Sequence, residues 1–274
     1  MANITAADVN KLRKQTGAGM MDCKKALVEA EGDFDTAIDL LRKKGQKVAA
    51  KRADRDASEG AVIAMTSEDN TKGIVVMVNC ETDFVAKNES FVTLAKRIAE
   101  VALNNFPADL EGLKAVAFDD SMTIEEKLTE QTGVVGEKIG VTGYETTEGA
   151  FVASYIHMGN KIGTLVTLTD EAAEAGRDVA MQAAAMNPIA LNKDGVSAEA
   201  VAREIEVGKE QAREEGKPEA MLEKIALGKL GKFYKENTLE EQAFIKDSKM
   251  SVSKYLESVK GGLKVVDFKR LALS

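Results

Sequence analysis

The sequence predicts an α+β protein with a small three-helix bundle at the N-terminus, two duplicated antiparallel-sheet-plus-helix subdomains, and an inserted antiparallel helical hairpin. Three observations support this fold class. Apolar residues recur at helical spacing over the first 45 residues, a hexapeptide recurs in the middle of the chain, and a charged, heptad-like stretch follows it. The predicted segments are the bundle (1–45), a basic helix or linker (46–58), a first core subdomain (59–140), a second core subdomain (141–196 and 237–274) and the hairpin (197–236).

The composition is that of an ordinary globular protein, and it argues against several classes of function. Of the 274 residues, 44% are hydrophobic and 30% are charged, and the formal net charge of −8 disfavours a duplex-binding protein. The single histidine, His157, excludes a site built from several histidines. The first residues show no apolar run behind a basic start, so we expect no secretory leader, and there is no run of roughly 18 uncharged apolar residues. We therefore expect a cytoplasmic protein without membrane contact, in which Cys23 and Cys80 remain reduced.

The first helix is predicted from its boundary residues. Thr5 precedes an apolar-periodic run and Asp8 follows three residues later, which suits an N-terminal cap. Val9 and Leu12 share one face of this helix. The Gly17-Ala18-Gly19 turn is expected to end it.

Two further helices complete the predicted bundle. A second helix over about residues 21–31 should bury four residues, namely Cys23, Ala26, Leu27 and Ala30. Asp33 is expected to cap a third helix, in which Phe34, Ile38 and Leu41 recur at helical spacing, and Gly45 is expected to end it.

The turn between the first two helices leads directly into Met20 and Met21. It matches neither a Walker phosphate loop nor a dinucleotide fingerprint, because the required glycines are missing. Two interpretations remain. Both methionines pack in the core, or they form an adaptable apolar contact for a protein partner.

The hexapeptide repeat predicts two related subdomains. Residues 59–64 (Glu-Gly-Ala-Val-Ile-Ala) return as residues 148–153 (Glu-Gly-Ala-Phe-Val-Ala). Each copy begins a strand that is followed by a turn, a second strand and a helix, over about residues 89–104 in the first copy and 171–186 in the second.

The loop after the second strand of the first copy reads Thr82-Asp83-Phe84-Val85. In the simpler interpretation Asp83 caps the next helix and Phe84 fills the core. In the functional interpretation Phe84 projects from a rigid sheet and contacts another protein, with Asp83 as its polar partner. The residue types alone leave both open.

The hairpin is predicted from two apolar seams on either side of Gly216-Lys217-Pro218. The first seam contains Ala198, Val201, Ile205, Gly208 and Ala212, and the return seam contains Leu222, Ile225, Lys229 and Phe233. Residues 244–245 and 252–256 then resemble a strand and a short helix. Residues 265–271 resemble a closing strand, which makes the hairpin an insertion within the second subdomain.

No catalytic constellation is visible. The sequence contains no His-x-x-x-His, no Gly-x-Ser-x-Gly and no Cys/His pair at a recognisable spacing. Two alternatives from other functional classes remain testable. One is a small-molecule enzyme that uses His157 as a base, and the other is an RNA-binding factor that uses the basic residues between 42 and 55.

Four motifs closely resemble the bacterial elongation factor Ts family. The most specific is Leu12-Arg13-x-x-Thr16-Gly17-Ala18-Gly19-Met20-Met21-Asp22-Cys23-Lys24-Lys25-Ala26-Leu27. The others are Asn79-Cys80-x-Thr82-Asp83-Phe84-Val85-Ala86, His157-x-Gly159-x-x-x-Gly163-x-Leu165-Val166, and Gly216-Lys217-Pro218 between the hairpin helices. Their order and spacing extend over nearly the whole chain.

The resemblance implies a guanine-nucleotide exchange factor for elongation factor Tu, with no active site, cofactor or metal of its own. It implies that the partner is bound in both its GDP form and its nucleotide-free form. It also implies a ubiquitin-associated-like bundle that binds the partner's G domain. The residues implied there are Leu12, Arg13, Gly17, Gly19, Met20 and Met21. Thr82, Asp83, Phe84 and Val85 would displace the partner's magnesium, and His157 and Gly159 would contact another part of the partner.

The resemblance also implies that the chain has no direct nucleic-acid or membrane partner, and it leaves open an assembly of two heterodimers. Two departures from the family pattern limit what is carried over. Family members often continue with another helix after the closing strand, whereas this sequence ends at Ser274. They often have histidine where Gln182 stands, so no imidazole role is implied at that position.

Overall fold

The computed structural model describes residues 4–273, and these divide into two compact units. The first unit comprises Met1–Ile63, Val76–Tyr144 and Ala272–Ser274, and the second comprises Ala64–Val75 and Glu145–Leu271. The expected mixture of helices and antiparallel sheets is confirmed. The finer division into five segments stays a prediction, and its outermost residues, 1–3 and 274, lie outside the described residues.

The first unit begins with three helices that form the predicted bundle. They are α1 (Ala6–Thr16), α2 (Met20–Glu29) and α3 (Phe34–Arg52). Thr5 and Asp8 form a capping box at the start of α1, and Gly17 ends α1 in the left-handed conformation with φ 71°. The core contains all of the residues predicted to face inward from α2 (Cys23, Ala26, Leu27 and Ala30), together with Val9 and Leu12 of α1. The local sequence signals therefore determine this part of the fold.

The third helix does not end at Gly45, and that expectation was wrong. Instead α3 continues to Arg52, with Asp33 as its N-cap. Gly45 is buried where α3 packs against a later helix, and a Cβ atom added at Gly45 would lie 3.7 Å from the Cα atom of Gly133. The close approach of the two helices depends on the glycine of the other helix, because a Cβ atom added at Gly133 would lie 2.4 Å from the Cα atom of Gly45.

The bundle is followed in the chain by a sheet and further helices. Strands β1 (Glu59–Thr66), β2 (Lys72–Cys80) and β5 (Gly140–Glu148) form a three-stranded sheet in the order β1-β2-β5. The intervening elements are α4 (Asp83–Ala86), α5 (Glu89–Asn105), α6 (Leu110–Ala115), β3 (Ala117–Asp119), β4 (Met122–Thr123) and α7 (Ile124–Val135). The sequence predicted β1, β2 and α5, whereas the elements between α5 and β5, and β5 itself, were not predicted.

The second unit contains the second copy of the repeat. Strands β6 (Phe151–Ile156) and β7 (Ile162–Leu168) pair antiparallel, with Phe151 opposite Leu168 and Ile156 opposite Gly163. They form a sheet in the order β10-β7-β6. The remaining elements are α8 (Ala173–Met186), α9 (Ala198–Glu214), α10 (Glu219–Asn237), β8 (Ala243–Phe244), β9 (Asp247–Ser251), α11 (Val252–Val259) and β10 (Val265–Ala272).

The two copies share a glycine with the same steric role. A Cβ atom added at Gly60 would lie 2.1 Å from the carbonyl oxygen of Val78, and one added at Gly149 would lie 2.4 Å from Cγ2 of Thr167. Both contacts are with the second strand of the respective copy. At Gly60 the obstacle is backbone, so no larger residue fits there, whereas at Gly149 the side chain of Thr167 would have to shift.

The hairpin is present as predicted. Helices α9 and α10 pack against each other on either side of Gly216, which has φ 72°. The return seam is buried through three residues at i, i+4 and i+8, namely Leu222, Ala226 and Leu230. The predicted members Ile225, Lys229 and Phe233 are half-buried beside them.

Candidate functional site

The loop that follows β2 presents a phenylalanine ring to solvent. Phe84 is 84% exposed, and the four residues of α4 include no buried residue. The interpretation in which Phe84 fills the core is therefore wrong, because so short a helix has no buried face toward which the ring can turn. Asp83 is not the cap either, since the hydroxyl of Thr82 accepts the N–H of Val85 at 3.4 Å. We refer to residues 82–86 as the Phe84 loop.

Asp83 lies on the same turn and is paired with a lysine. Nζ of Lys87 donates to Oδ2 of Asp83 at 2.6 Å. This bond lowers the pKa of the Asp83 carboxyl below its ordinary value and raises the pKa of Lys87. Asp83 is therefore ionised at neutral pH, and its carboxylate lies one residue from the exposed ring.

The base of the Phe84 loop is fixed by a glutamate that the sequence analysis did not identify. Glu137 accepts two hydrogen bonds from Thr82, one from the backbone N–H at 3.0 Å and one from the hydroxyl at 2.7 Å. Sγ of Cys80 donates to the carbonyl of Thr82 at 3.2 Å. Thr82 and Glu137 are 55 residues apart, so only the folded structure reveals this contact.

A second carboxylate, that of Glu81, connects the same two segments, and here the acceptor lies next to Thr82 and the donor lies next to Glu137. Oε1 of Glu81 accepts a hydrogen bond from the backbone N–H of Lys138 at 2.6 Å. It accepts a second hydrogen bond from Nη1 of Arg52 at 2.7 Å. These two donors lower the pKa of Glu81, with the Lys138 amide as the larger cause. Nζ of Lys138 donates to the carbonyls of Ala53 and Arg55. The end of α3 is therefore bonded to both segments at the base of the Phe84 loop.

The start of α2 presents an apolar surface. Met20 is 51% exposed and Met21 is 62% exposed, so neither packs in the bundle core. Val28 is also exposed on the same helix, and Met21, Lys24, Lys25, Val28 and Glu29 line a shallow groove of about 420 Å³. We refer to Met20, Met21 and Val28 as the methionine surface. Val28 was not among the predicted site residues, although its helical spacing from Met21 would have indicated it.

The other predicted bundle residues have different placements. Leu12 is 0% exposed in the bundle core, so its side chain does not form part of the methionine surface. Arg13 is exposed in the last turn of α1. Gly17 and Gly19 are exposed at the end of α1 and at the N-cap of α2, where they form the turn that leads into Met20.

His157 and Gly159 lie in the turn between β6 and β7. The backbone N–H of His157 donates to the carbonyl of Ile162 at 2.8 Å, and Gly159 has φ 85°. Nδ1 of His157 lies 3.2 Å from the hydroxyl of Tyr155, so the ring is paired with a phenol and not with the carboxylate that a catalytic base would use. Met158 between them is 89% exposed and was not predicted.

Gln182 stands where members of the resembled family often have histidine, and here it is structural. Its side chain is buried, donates to Oε1 of Gln242 and the carbonyl of Ala243, and accepts the N–H of Ile245 at 2.7 Å. Both the nitrogen and the oxygen of its amide are bonded to residues of the second unit, so the side chain has no unused hydrogen-bonding group for a partner.

The predicted site residues therefore form two groups in the first unit and one in the second. Thr82, Asp83, Phe84 and Val85 lie together in the Phe84 loop, and Arg13, Gly17, Gly19, Met20 and Met21 lie around the turn between α1 and α2. Across the described part of the chain, no three His, Cys, Asp or Glu side chains are grouped as metal ligands would be. None of the helices within residues 4–273 combines the length and apolar character needed to cross a bilayer.

Comparison with known proteins gives consistent matches over the whole chain. A family model described as "Elongation factor TS" matches residues 81–274. The chain is 62% identical to elongation factor Ts of Christiangramia forsetii, 60% identical to that of Flavobacterium psychrophilum and 53% identical to that of Cytophaga hutchinsonii. Each of these three alignments covers 100% of this chain and 100% of the relative.

Proposed function

The chain belongs to the elongation factor Ts family, and from that premise we propose that it is a guanine-nucleotide exchange factor for elongation factor Tu. It would bind the GDP form of that partner, promote GDP release and remain bound to the nucleotide-free form. It would do so as a binding protein without an active site of its own. The observation that supports this most directly is the solvent exposure of the Phe84 ring on a loop with a fixed base.

The exposed ring suits insertion into a partner. A phenylalanine side chain gains roughly 1.5–3 kcal/mol when it passes from water into an apolar site. In this proposal the ring enters between helices beside the partner's nucleotide site, and the adjacent Asp83 carboxylate holds the shifted geometry. The partner's magnesium then loses its coordination, and GDP dissociates.

Thermodynamic linkage sets the energy that this mechanism requires. If the chain weakens GDP binding by a given factor, GDP weakens binding of the chain by the same factor. A 10⁴-fold weakening corresponds to about 5.5 kcal/mol of differential binding free energy. Burial of one phenylalanine supplies only part of this, so further contacts are needed.

The methionine surface is the second proposed contact. Thioether side chains adapt to irregular surfaces, and Met20, Met21 and Val28 lie on one short helix over a well-packed core. We assign to this surface, with Arg13 at the end of α1, the binding of the partner's G domain. His157, Met158 and Gly159 would contact another part of the same partner from the second unit.

The alternative functions find less support in the geometry. His157 has a tyrosine hydroxyl as its ring partner. Within the basic stretch of residues 42–55, Lys44 is paired with Asp22 at 2.5 Å and Arg52 with Glu81 at 2.7 Å, which reduces the positive field that an RNA would meet. Neither feature favours a second function.

The direct test is release of a fluorescent GDP analogue from elongation factor Tu, with excess unlabelled GDP as a chase. We expect the release rate to rise with the concentration of this chain and to reach a plateau. The reciprocal measurement is binding of the chain to the partner, which added GDP should weaken by the same factor. A release rate that stays at its spontaneous value while the two proteins demonstrably bind would overturn the proposal.

A further inference from the structure

The Phe84 loop is attached at its base by hydrogen bonds and has no fully buried residue in its helix. Helix α4 has four residues and buries none of them. Its internal backbone bonds are few: the N–H groups of Ala86 and Lys87 donate to the carbonyls of Thr82 and Asp83, and the side chain of Lys87 donates to that of Asp83. A helix of this length is not stable without external contacts, so the direction of the Phe84 ring depends on what holds Thr82.

Glu137 holds Thr82 through both carboxylate oxygens. Oε2 accepts the backbone N–H and Oε1 accepts the hydroxyl hydrogen. Because the hydroxyl has one hydrogen, donating it to Glu137 leaves an oxygen lone pair directed at the N–H of Val85, which is the capping bond of α4. Glu137 therefore fixes the backbone and the rotamer of the residue that begins the helix.

The contact is reciprocal. Glu137 binds the backbone N–H of residue 82, and Glu81 binds the backbone N–H of residue 138. Each of two adjacent segments thus supplies a carboxylate to the amide of the other. Arg52 and the side chain of Lys138 then join this pair to the end of α3. Two short segments bonded in both directions cannot slide or rotate past each other without breaking charge-assisted hydrogen bonds.

We propose that Glu137 is a positioning residue for nucleotide exchange, which sets the direction of the Phe84 ring without contacting the partner. This inference rests on the exchange function proposed above. Both oxygens of Glu137 are engaged by Thr82, and the side chain is only partly exposed. Its effect on exchange therefore passes through the Phe84 loop.

The test uses Glu137→Gln and Thr82→Val in the full chain, each measured by release of fluorescent GDP from elongation factor Tu. Glutamine keeps the shape of the side chain but places an NH₂ group opposite a donor, and valine removes the hydroxyl. We expect each variant to lower the maximal release rate about tenfold, since a charge-assisted hydrogen bond is removed. The concentration giving half of the maximal rate should change less than about threefold. The double variant should be no slower than the slower single variant, because both substitutions remove the same interaction.

Glu125→Gln is the matched control, because Glu125 is an exposed acid on α7 with the same charge change and no bond to the Phe84 loop. The Glu125→Gln variant should accelerate GDP release from elongation factor Tu as much as the unmodified chain does. Hydrogen exchange of the free chain gives a readout that does not depend on the partner. The amides of Val85 and Ala86 should exchange faster in Glu137→Gln, while those of α5 stay protected.

The outcomes separate the two proposals. If the unmodified chain does not accelerate GDP release, the proposed function fails. If it does, and folded Glu137→Gln reaches the same maximal rate, the positioning role is overturned. A variant that changes only the half-maximal concentration also overturns it, since that result identifies a contact residue. If Glu137→Gln does not fold, Thr82→Val decides by the same criteria.

Discussion

Gly133 of α7 meets Gly45 of α3 at an asymmetric contact. A Cβ atom added to Gly133 would lie 2.4 Å from the Cα atom of Gly45. A Cβ atom added to Gly45 would lie 3.6 Å from its nearest neighbour, the carbonyl oxygen of Thr129. The first distance is a clash with backbone, and the second is ordinary van der Waals contact. Helices α3 and α7 thus pack at a contact where Gly133 has no room for a side chain and Gly45 has room for a methyl group.

Gly133→Ala should therefore destabilise the chain, whereas Gly45→Ala should not. We expect Gly133→Ala to lower the free energy of unfolding by about 1–3 kcal/mol, since the added methyl group forces the helices apart. Gly45→Ala should be neutral or stabilising by up to about 1 kcal/mol, because alanine favours the helix. Urea unfolding followed by circular dichroism measures both. Equal destabilisation by the two substitutions would show that the contact is not asymmetric.

Phe84→Ala should separate exchange activity from stability. The ring is exposed, so its removal should change the free energy of unfolding by less than about 0.5 kcal/mol. The maximal rate of GDP release should fall at least about tenfold, because alanine cannot bury the apolar surface that the ring would bury in the partner. Val266→Ala, which truncates another exposed apolar side chain, is the matched control and should retain full activity. Full activity of folded Phe84→Ala would show that the ring does not act on the partner.

The methionine surface should control affinity and not the maximal rate. For Met20→Ala combined with Met21→Ala we expect the half-maximal concentration to rise about tenfold, with the maximal release rate unchanged. Leu12→Ala provides the contrast, because truncation of this buried side chain should lower the free energy of unfolding of the bundle by about 2–5 kcal/mol. Titration of GDP release and thermal unfolding distinguish the two effects. A lower maximal rate at unchanged half-maximal concentration would contradict the assignment.

Cys80 should be chemically protected by the fold. Burial, reinforced by the Glu137 carboxylate, raises the pKa of its thiol from an ordinary value of 9.0 to about 12. The neutral thiol is thus favoured in the folded state, and this contribution to stability is present below pH 9 and lost as the pH rises toward 12. Iodoacetamide at pH 8 should alkylate Cys80 at least about tenfold more slowly in the folded chain than in urea, as mass spectrometry of the peptide would show. Equal rates would indicate an accessible thiol.

Features encoded locally were predictable from the sequence. The capping box of Thr5 and Asp8, the inward face of α2 and the Asp33 cap all involve residues within one or two helical turns of each other. The repeat also predicted β6, β7 and α8, because it transferred the pattern of one copy to the other. In each case the interacting residues are near in sequence, so their spacing carries the signal.

Features that depend on distant contacts were not predictable. Gly45 has the appearance of a helix end, but α3 continues to Arg52, and Gly45 packs against Gly133 of a helix that is distant in sequence. The Phe84 loop is bonded at its base by Glu137, a residue with no local motif to mark it. The Arg52–Glu81 pair connects the end of α3 to the base of that loop, and its two residues are 29 positions apart, so no local pattern reveals it.

The exposed ring of Phe84 also bears on how quickly two proteins can associate. A side chain that already projects from an ordered segment requires no folding or loop opening during an encounter, so little conformational entropy remains to be lost on docking. Association would then proceed as a collision between preformed surfaces, for which rate constants of about 10⁵–10⁷ M⁻¹s⁻¹ are usual. In the free protein the benzyl group of Phe84 remains hydrated, which is energetically unfavourable for an apolar side chain.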